Sequence, residues 1–336
     1  MTGGSTYIIS LPKAWIDQLN LKRGSVVKIH QTEDTSLNLL PRDLEIPEKY
    51  RKLTLRIFED DTPDSVVRKL VSAYLLGYSV IEIRSTQKRL DVDVRKKLKN
   101  HIHNKMIGTE IMNDVPNQLD LQILLSYSDL SIRDALKRMA LIVASMHREA
   151  ITALSQENTQ LAKEIINTDD EVDRFNLYLV RLLKTAVSDA NVLKKSGIAS
   201  AKNCIDYRLV VKSIERTADH AVNIAQNCLS LTMIPIDKAI LSDLENLSES
   251  ALRIFEAAME SIYEDSYENA NQVLDMANET LQNEDEVIHR IIKKAPIEDV
   301  SYLRLIVESI KRTVEYGADI AEMVLNMNID KVSDNG

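Results

Sequence analysis

Glycine and aromatic residues are scarce in this chain: 8 Gly, 3 Phe and 1 Trp among 336 residues, with aromatics at 4%. Sheet-rich folds draw on both, so their scarcity, beside many Leu, Ile, Ala, Glu and Lys, favours helix over sheet. Long apolar runs are missing too. The best, residues 139–146, falls well short of the ~18–20 residues of a membrane span, so no membrane insertion is expected. The start, Met1-Thr2-Gly3-Gly4, lacks the basic-then-apolar order of a secretory signal. Only two cysteines are present, Cys204 and Cys228, without Cys-x-x-Cys spacing. That usage fits reduced core thiols in a cytoplasmic protein.

Net charge is −9, but it is unevenly spread. Residues 1–42 carry Lys13, Lys22, Arg23, Lys28 and Arg42 against Asp17, Glu33 and Asp34, a local +2 that leaves −11 for the remainder. An acidic body repels nucleic acid and attracts cations or basic partners, so any DNA contact belongs to the N-terminal tip.

Residues 5–11 read as a strand, Pro12 opens a short helix to about Leu19, and residues 25–31 and 36–40 read as two further strands. A unit this small buries too little surface to stand alone and is expected to pair with a second copy. Residues 53–125 alternate strand and helix. Strands are expected at 53–58, 79–84, 109–113 and 119–125. A helix capped by Asp64 and ended by Gly77 lies between the first two, and a basic amphipathic helix at 91–106 follows the second. No motif there specifies chemistry.

From Ser131 the pattern is purely helical. Ile132, Leu136, Met139, Val143, Met146 and Ala150 follow the 4-3-4 spacing of a bundle seam. Ile240, Leu244, Leu247, Ala251, Ile254 and Ala258 repeat it, as do Leu303, Ile306, Ile310, Thr313, Gly317, Ile320, Val324 and Met327. Shorter helices are expected at 158–167, 170–187, 267–281 and 284–294. Residues 213–225 and 309–321 share Ser, Ile, Arg, Thr, Ile and Ala in register at an offset of 96. Asp170-Glu171-Val172 matches Asp285-Glu286-Val287 at an offset of 115. The difference of 19 is an extra loop between about Ser188 and Ile205 in the first copy. The reading is a mainly α chain of two tandem three-helix bundles, at 128–232 and 233–330, preceded by a small β-rich unit at 1–45 and a small α/β domain at 46–127.

In the first copy Glu215 and Asp219 lie four apart on one helix, and Asp169 and Asp173 four apart on another. Each i, i+4 pair projects two carboxylates from one face. Two such pairs on facing helices make a four-carboxylate site whose hard oxygens suit Mg, Ca, Mn or Fe. In the second copy Lys311 replaces Glu215 and Ile288 replaces Asp173, which makes the first copy the better cation site.

The stretch Glu-Arg-Thr-Ala-Asp-His-Ala-Val-Asn-Ile-Ala at 215–225 resembles the signature of the PhoU family of phosphate-uptake regulators. The resemblance covers about 128–330. It implies paired three-helix bundles with Asp169, Asp173, Glu215 and Asp219 as metal-facing positions, holding a divalent or iron-type ion without an organic cofactor. It also implies a cytoplasmic homodimer that restrains phosphate import. The N-terminus, Gly3-Gly4-Ser5-Thr6-Tyr7-Ile8-Ile9-Ser10-Leu11-Pro12-Lys13 with Leu21-Lys22-Arg23-Gly24-Ser25-Val26-Val27, is similar to SpoVT/AbrB-like swapped-hairpin DNA-binding domains. Together the two resemble archaeal-type PhoU regulators. That resemblance implies Lys13, Lys22, Arg23, Lys28 and Arg42 as phosphate-contacting residues on DNA.

Three functions follow as expectations. The first is a DNA-linked regulator of phosphate homeostasis. The second is an adaptor that docks on a phosphate transporter ATPase or sensor kinase without binding DNA. The third, a di-metal carboxylate enzyme, needs Glu and Glu-x-x-His on paired helices. Only Glu286-x-x-His289 has that spacing, and no P-loop, Gly-x-Gly-x-x-Gly or Gly-x-Ser-x-Gly is present. Catalysis is therefore not expected.

Overall fold

The computed structural model of the chain describes residues 8–31, 36–41, 51–125, 131–232, 235–281 and 284–333. They divide into two units, Met1–Arg51 and Lys52–Gly336.

In the first unit α1 (Lys13–Gln18) follows Pro12, whose carbonyl accepts the N–H groups of Trp15 and Ile16. Strands β1 (Val27–Gln31) and β2 (Leu37–Pro41) form an antiparallel pair with Val27 opposite Pro41 and Gln31 opposite Leu37. The strand expected over 5–11 is corrected in its described part. Residues 8–12 belong to no strand, and the sheet of this unit holds β1 and β2 alone among the described residues. Residues 5–7 lie outside the description. None of the unit's described side chains is buried, and Ile8, Ile9, Val26, Ile29 and Leu37 are each half or more exposed.

The second unit begins with a four-stranded sheet. In chain order its elements are β3 (Lys52–Ile57), α2 (Pro63–Leu75), β4 (Val80–Ser85), α3 (Val92–Lys105), β5 (Thr109–Val115) and β6 (Gln118–Ile123). The spatial order is β3-β4-β6-β5, with β3 parallel to β4 and β6 antiparallel to both β4 and β5. Alternation decides which face is covered: Ile81 and Ile83 of β4 and Leu119, Leu121 and Ile123 of β6 turn inward, onto Leu70 and Tyr74 of α2 and Leu98 and Ile102 of α3. The cap of α2 is Thr62, whose hydroxyl accepts the Ser65 N–H at 3.2 Å, rather than Asp64. Asp64 occupies the first turn, where a carboxylate still complements the helix dipole. Gly77, with φ +82°, ends the helix as its lack of a Cβ allows.

Among the described residues eight α-helices follow: α4 (Ile132–Ser155), α5 (Thr159–Ser188), α6 (Ala190–Ser196), α7 (Asn203–Cys228), α8 (Lys238–Glu264), α9 (Tyr267–Leu281), α10 (Glu284–Lys294) and α11 (Ile297–Asn328). The two short helices expected at 158–167 and 170–187 are one continuous helix, α5. Thr168-Asp169-Asp170 looks like a break, but it contains neither Gly nor Pro. The Thr168 hydroxyl bonds back to the Glu164 carbonyl at 3.0 Å, and the buried stripe Ala162, Ile165, Val172, Phe175 and Leu179 runs straight through. The 19 extra residues of the first copy are accounted for by α6 and its flanks.

The seam residues of α4, α8 and α11 are buried as their spacing requires, except Met327 at the end of α11, which is only partly buried, and one continuous core joins α4 through α11. Central to it are α7 and α11, which pack on one another. His220 of α7 meets Tyr316 of α11, with ring centroids 5.7 Å apart. These positions differ by 96, the repeat offset, so equivalent residues of the two copies face each other. That is what a local two-fold axis between the copies produces. Arg216, beside the Tyr316 ring at 5.9 Å, and Arg312, which acts on His220, obey the same relation. No helix among the described residues is long and apolar enough to cross a membrane.

Candidate functional site

Because α5 is unbroken, Asp169, Asp170 and Asp173 sit within little more than one turn of each other at its middle. The neighbouring α7 supplies Glu215 and Asp219. Burial, then the charges of Asp173 and Asp219 and, more weakly, Glu215, push the Asp169 carboxyl up to about 6. Burial, then Glu215 and Asp173, does the same to Asp219, although that side chain still reaches solvent. Asp169, Asp173, Glu215 and Asp219 thus act on one another across α5 and α7, as the two i, i+4 pairs suggested. Asp169 Oδ1 is buried without a hydrogen-bond partner.

Two lysines already lean on the cluster. Lys212 donates to Glu215 from one turn earlier on α7. Lys105, from the last turn of α3 in the α/β domain, donates to Asp170 Oδ1 and Asp173 Oδ2, both at 2.7 Å. Burial works against the Lys105 charge, but the bonds to Asp170 and Asp173 outweigh it and raise its pKa. His101 lies one turn earlier on the same face of α3. Burial and the neighbouring Lys105 hold it below its usual value, and its Nε2 is buried without a partner. Sequence reasoning missed Lys105, His101 and Asp170. The basic character of helix 91–106 was visible, but not that its C-terminal turn would land on α5, 68 residues away.

The α/β domain is fastened to α5 at a second place. Arg181, fully buried two turns beyond Asp173, donates to the Tyr74 carbonyl at the C-terminal end of α2, and its guanidinium lies 4.8 Å from the Tyr74 ring.

The donor set fits a hard divalent cation in kind, and the orphaned Asp169 oxygen is an acceptor waiting for a partner. Among the described residues, however, no three His, Cys, Asp or Glu side chains are grouped closely enough to hold a metal ion. Asp173 is paired with Lys105 and Glu215 with Lys212, and the four carboxylates share a field without closing into a shell.

In the second copy Arg312 bonds both Glu308 and Glu315, at 2.9 and 2.7 Å. Asp319 is raised by burial and then by Glu322 and Glu315. Lys311 and the half-buried Ile288 stand where the first copy has Glu215 and Asp173. Glu286 and His289 are exposed on α10. Of the basic residues expected to face DNA, Lys13, Lys22, Arg23 and Lys28 are exposed in the first unit, and Arg42 lies outside the described residues.

Comparison with known proteins matches residues 136–228, which run from α4 through α7, to the PhoU domain. Residues 1–47 match the family described as antidote-toxin recognition MazE, bacterial antitoxin. The phosphate-specific transport system accessory protein PhoU homolog 1 of Thermotoga maritima is 23% identical over 139 residues. The match takes in 41% of this chain and spans 58% of that relative's length. Among solved structures, the phosphate transport system regulatory protein PhoU from Streptococcus pneumoniae superimposes with a TM-score of 0.51 at 19% identity, covering 60% of this chain and 96% of that one. PhoU from Pseudomonas aeruginosa gives 0.50 at 15% identity, covering 59% and 96%. The chain thus carries a PhoU domain behind a MazE/AbrB-like N-terminal segment, and its helical half has the PhoU fold.

Proposed function

We propose that this chain, with a PhoU domain at its centre, regulates phosphate transport by binding rather than by turnover. In this reading the carboxylates of α5 and α7 take up a divalent or iron-type cation. The N-terminal unit pairs with a second copy and contacts DNA. The observation that carries the reading is the mutual pressure of Asp169, Asp173, Glu215 and Asp219 inside the PhoU match. Two carboxyls pushed up to about 6 and one buried oxygen without a partner are relieved by positive charge. A bound cation would supply that charge and draw oxygens from two helices to one point, stiffening the α5–α7 joint.

The N-terminal half of the reading is supported by a unit that buries none of its described side chains and shows Lys13, Lys22, Arg23 and Lys28 to solvent. A second copy would cover its apolar residues and double its cations along a phosphate backbone. The alternative, an adaptor docking on a transporter ATPase or sensor kinase, draws support from the −11 carried outside the tip.

Calorimetry and elemental analysis test the carboxylate reading. Wild-type protein is expected to bind manganese or iron, and Glu215→Ala combined with Asp219→Ala to lose at least tenfold in affinity. Equal metal content in the two proteins rejects it.

A further inference from the structure

The first copy carries α6 and its flanks, which the second copy lacks. This extra segment is firmly built. Asp189 caps α6 by accepting the Asn191 and Val192 N–H groups at 2.9 and 3.2 Å. Val192 and Ile198 anchor it in the main core, and Gly197, at φ +77°, ends the helix between them. The segment joins the end of α5 to the start of α7, and those two helices pack on one another. Val187 lies as far beyond Asp173 on α5 as Ile205 lies before Asp219 on α7. Asp173 acts on Asp219 across this hairpin, so Val187 and Ile205 come side by side at its closed end. Leu209 follows one turn into α7. The three are 56%, 66% and 48% exposed, an apolar patch that the described residues leave open.

The charge at this end runs against the rest of the body. Residues 184–208 hold Lys184, Lys194, Lys195, Lys202 and Arg208 against Asp189 and Asp206, a local +3 within the −11 carried outside the tip. The four lysines are exposed and Arg208 is half-buried. Among the described residues none of the five is ion-paired, whereas Lys212, one turn beyond Arg208, is held by Glu215. Unpaired cations beside bare apolar side chains suit a surface that is anionic outside and apolar beneath. Lysine heads are hydrated point charges on long stems. They fit a diffuse field of headgroups better than bidentate pairing with single carboxylates, which favours a lipid surface over an acidic peptide.

We propose that the closed end of the α5–α7 hairpin, with α6, is a docking surface for an anionic lipid bilayer. Val187, Ile205 and Leu209 enter the headgroup layer, and the five cations lie over the lipid phosphates. The chain rests on the bilayer without crossing it, and repulsion of the acidic body turns this end toward the lipid. The inference is independent of the carboxylate cluster.

Co-sedimentation of the full-length protein with vesicles tests this, comparing phosphatidylcholine alone with phosphatidylcholine holding roughly a third of phosphatidylglycerol. Wild type is expected to partition at least tenfold more strongly onto the anionic vesicles, and to be released as salt screens the lysines. Lys194→Glu with Lys195→Glu is expected to lose at least tenfold of that partitioning. Leu209→Ser, with every charge kept, is expected to lose at least threefold. Both changes fall at exposed positions, and helical circular dichroism should match wild type. Lys13→Glu with Lys22→Glu in the N-terminal unit is expected to change nothing, which separates this surface from the basic tip. Wild-type partitioning by either of the first two variants overturns the proposal. Loss confined to the Lys13 and Lys22 variant moves binding to the tip and overturns it as well. So does a wild type that ignores anionic vesicles; if it binds polyglutamate instead, the surface belongs to an acidic protein.

Discussion

His147 is the most enclosed ionisable side chain with a resolved shift in the bundle. It joins α4 to α8 and α11, with Nε2 2.9 Å from the Ser248 hydroxyl and Nδ1 3.3 Å from that of Thr313. Burial, and secondarily Arg148, pushes its pKa from 6.5 down to about 4. Between those values the unfolded chain binds a proton that the folded chain refuses. The stability His147 contributes is therefore complete above pH 6.5 and is lost as pH falls towards 4, by about 3 kcal/mol. Urea denaturation of wild type and His147→Gln should show a gap that narrows by that amount from pH 7 to pH 4; a constant gap would contradict the buried neutral imidazole. Asp169 has the opposite sign. Its folded pKa is raised to about 6, so the folded state gains relative stability as pH falls from above 6 towards 4. Asp169→Asn should be more stable than wild type at pH 7.5 by about 1 kcal/mol, a figure discounted for partial solvent screening, with the advantage gone near pH 4. The i, i+4 carboxylate pairs were legible in the sequence because helical spacing alone sets them. Lys105 and the Ser248–His147–Thr313 chain were not, because each depends on residues far apart in the chain.

Helix seams were the most legible elements: 4-3-4 spacing in α4, α8 and α11 names residues that are buried, up to Met327, which is only partly buried at the end of α11. The single α5 was less so, since Thr168-Asp169-Asp170 has cap-like composition while its helical fate is decided by the apolar stripe on either side. Gly317 was visible only as a seam position, and its reason is close approach. A Cβ there would lie 2.9 Å from Ile254 Cγ2 and 3.3 Å from the Phe255 nitrogen of α8. Ile254 is β-branched and buried, so it yields little. Gly317→Ala should cost about 1–2 kcal/mol in thermal or urea unfolding, the overpacking outweighing a gain of up to ~1 kcal/mol in helix propensity. At the equivalent position of the first copy Ala221 already carries a buried Cβ, so a stabilised Gly317→Ala would mean that α8 can retreat.

Across the whole molecule, composition announced the helical body and the −11/+2 division announced a separate tip, which contact within the chain divides at Arg51. Where the α/β domain lands was invisible, because no motif in residues 52–125 announces that the end of α3 meets α5. Light scattering should give the full chain twice its monomer mass at micromolar concentration. Removing residues 1–45 should return it to the monomer and abolish retention of its target DNA while helical circular dichroism persists. Unchanged DNA retention would move the assignment to the adaptor.

The meeting of His220 and Tyr316 has a consequence of its own. Two identical chains joined about such an axis must present the same side chain from both sides, so any change there arrives twice. A tandem chain is released from that rule: its hinge-line can seat an imidazole against a phenol, a mismatched couple forbidden to a symmetric pair, and each half is free to specialise while the joint still closes.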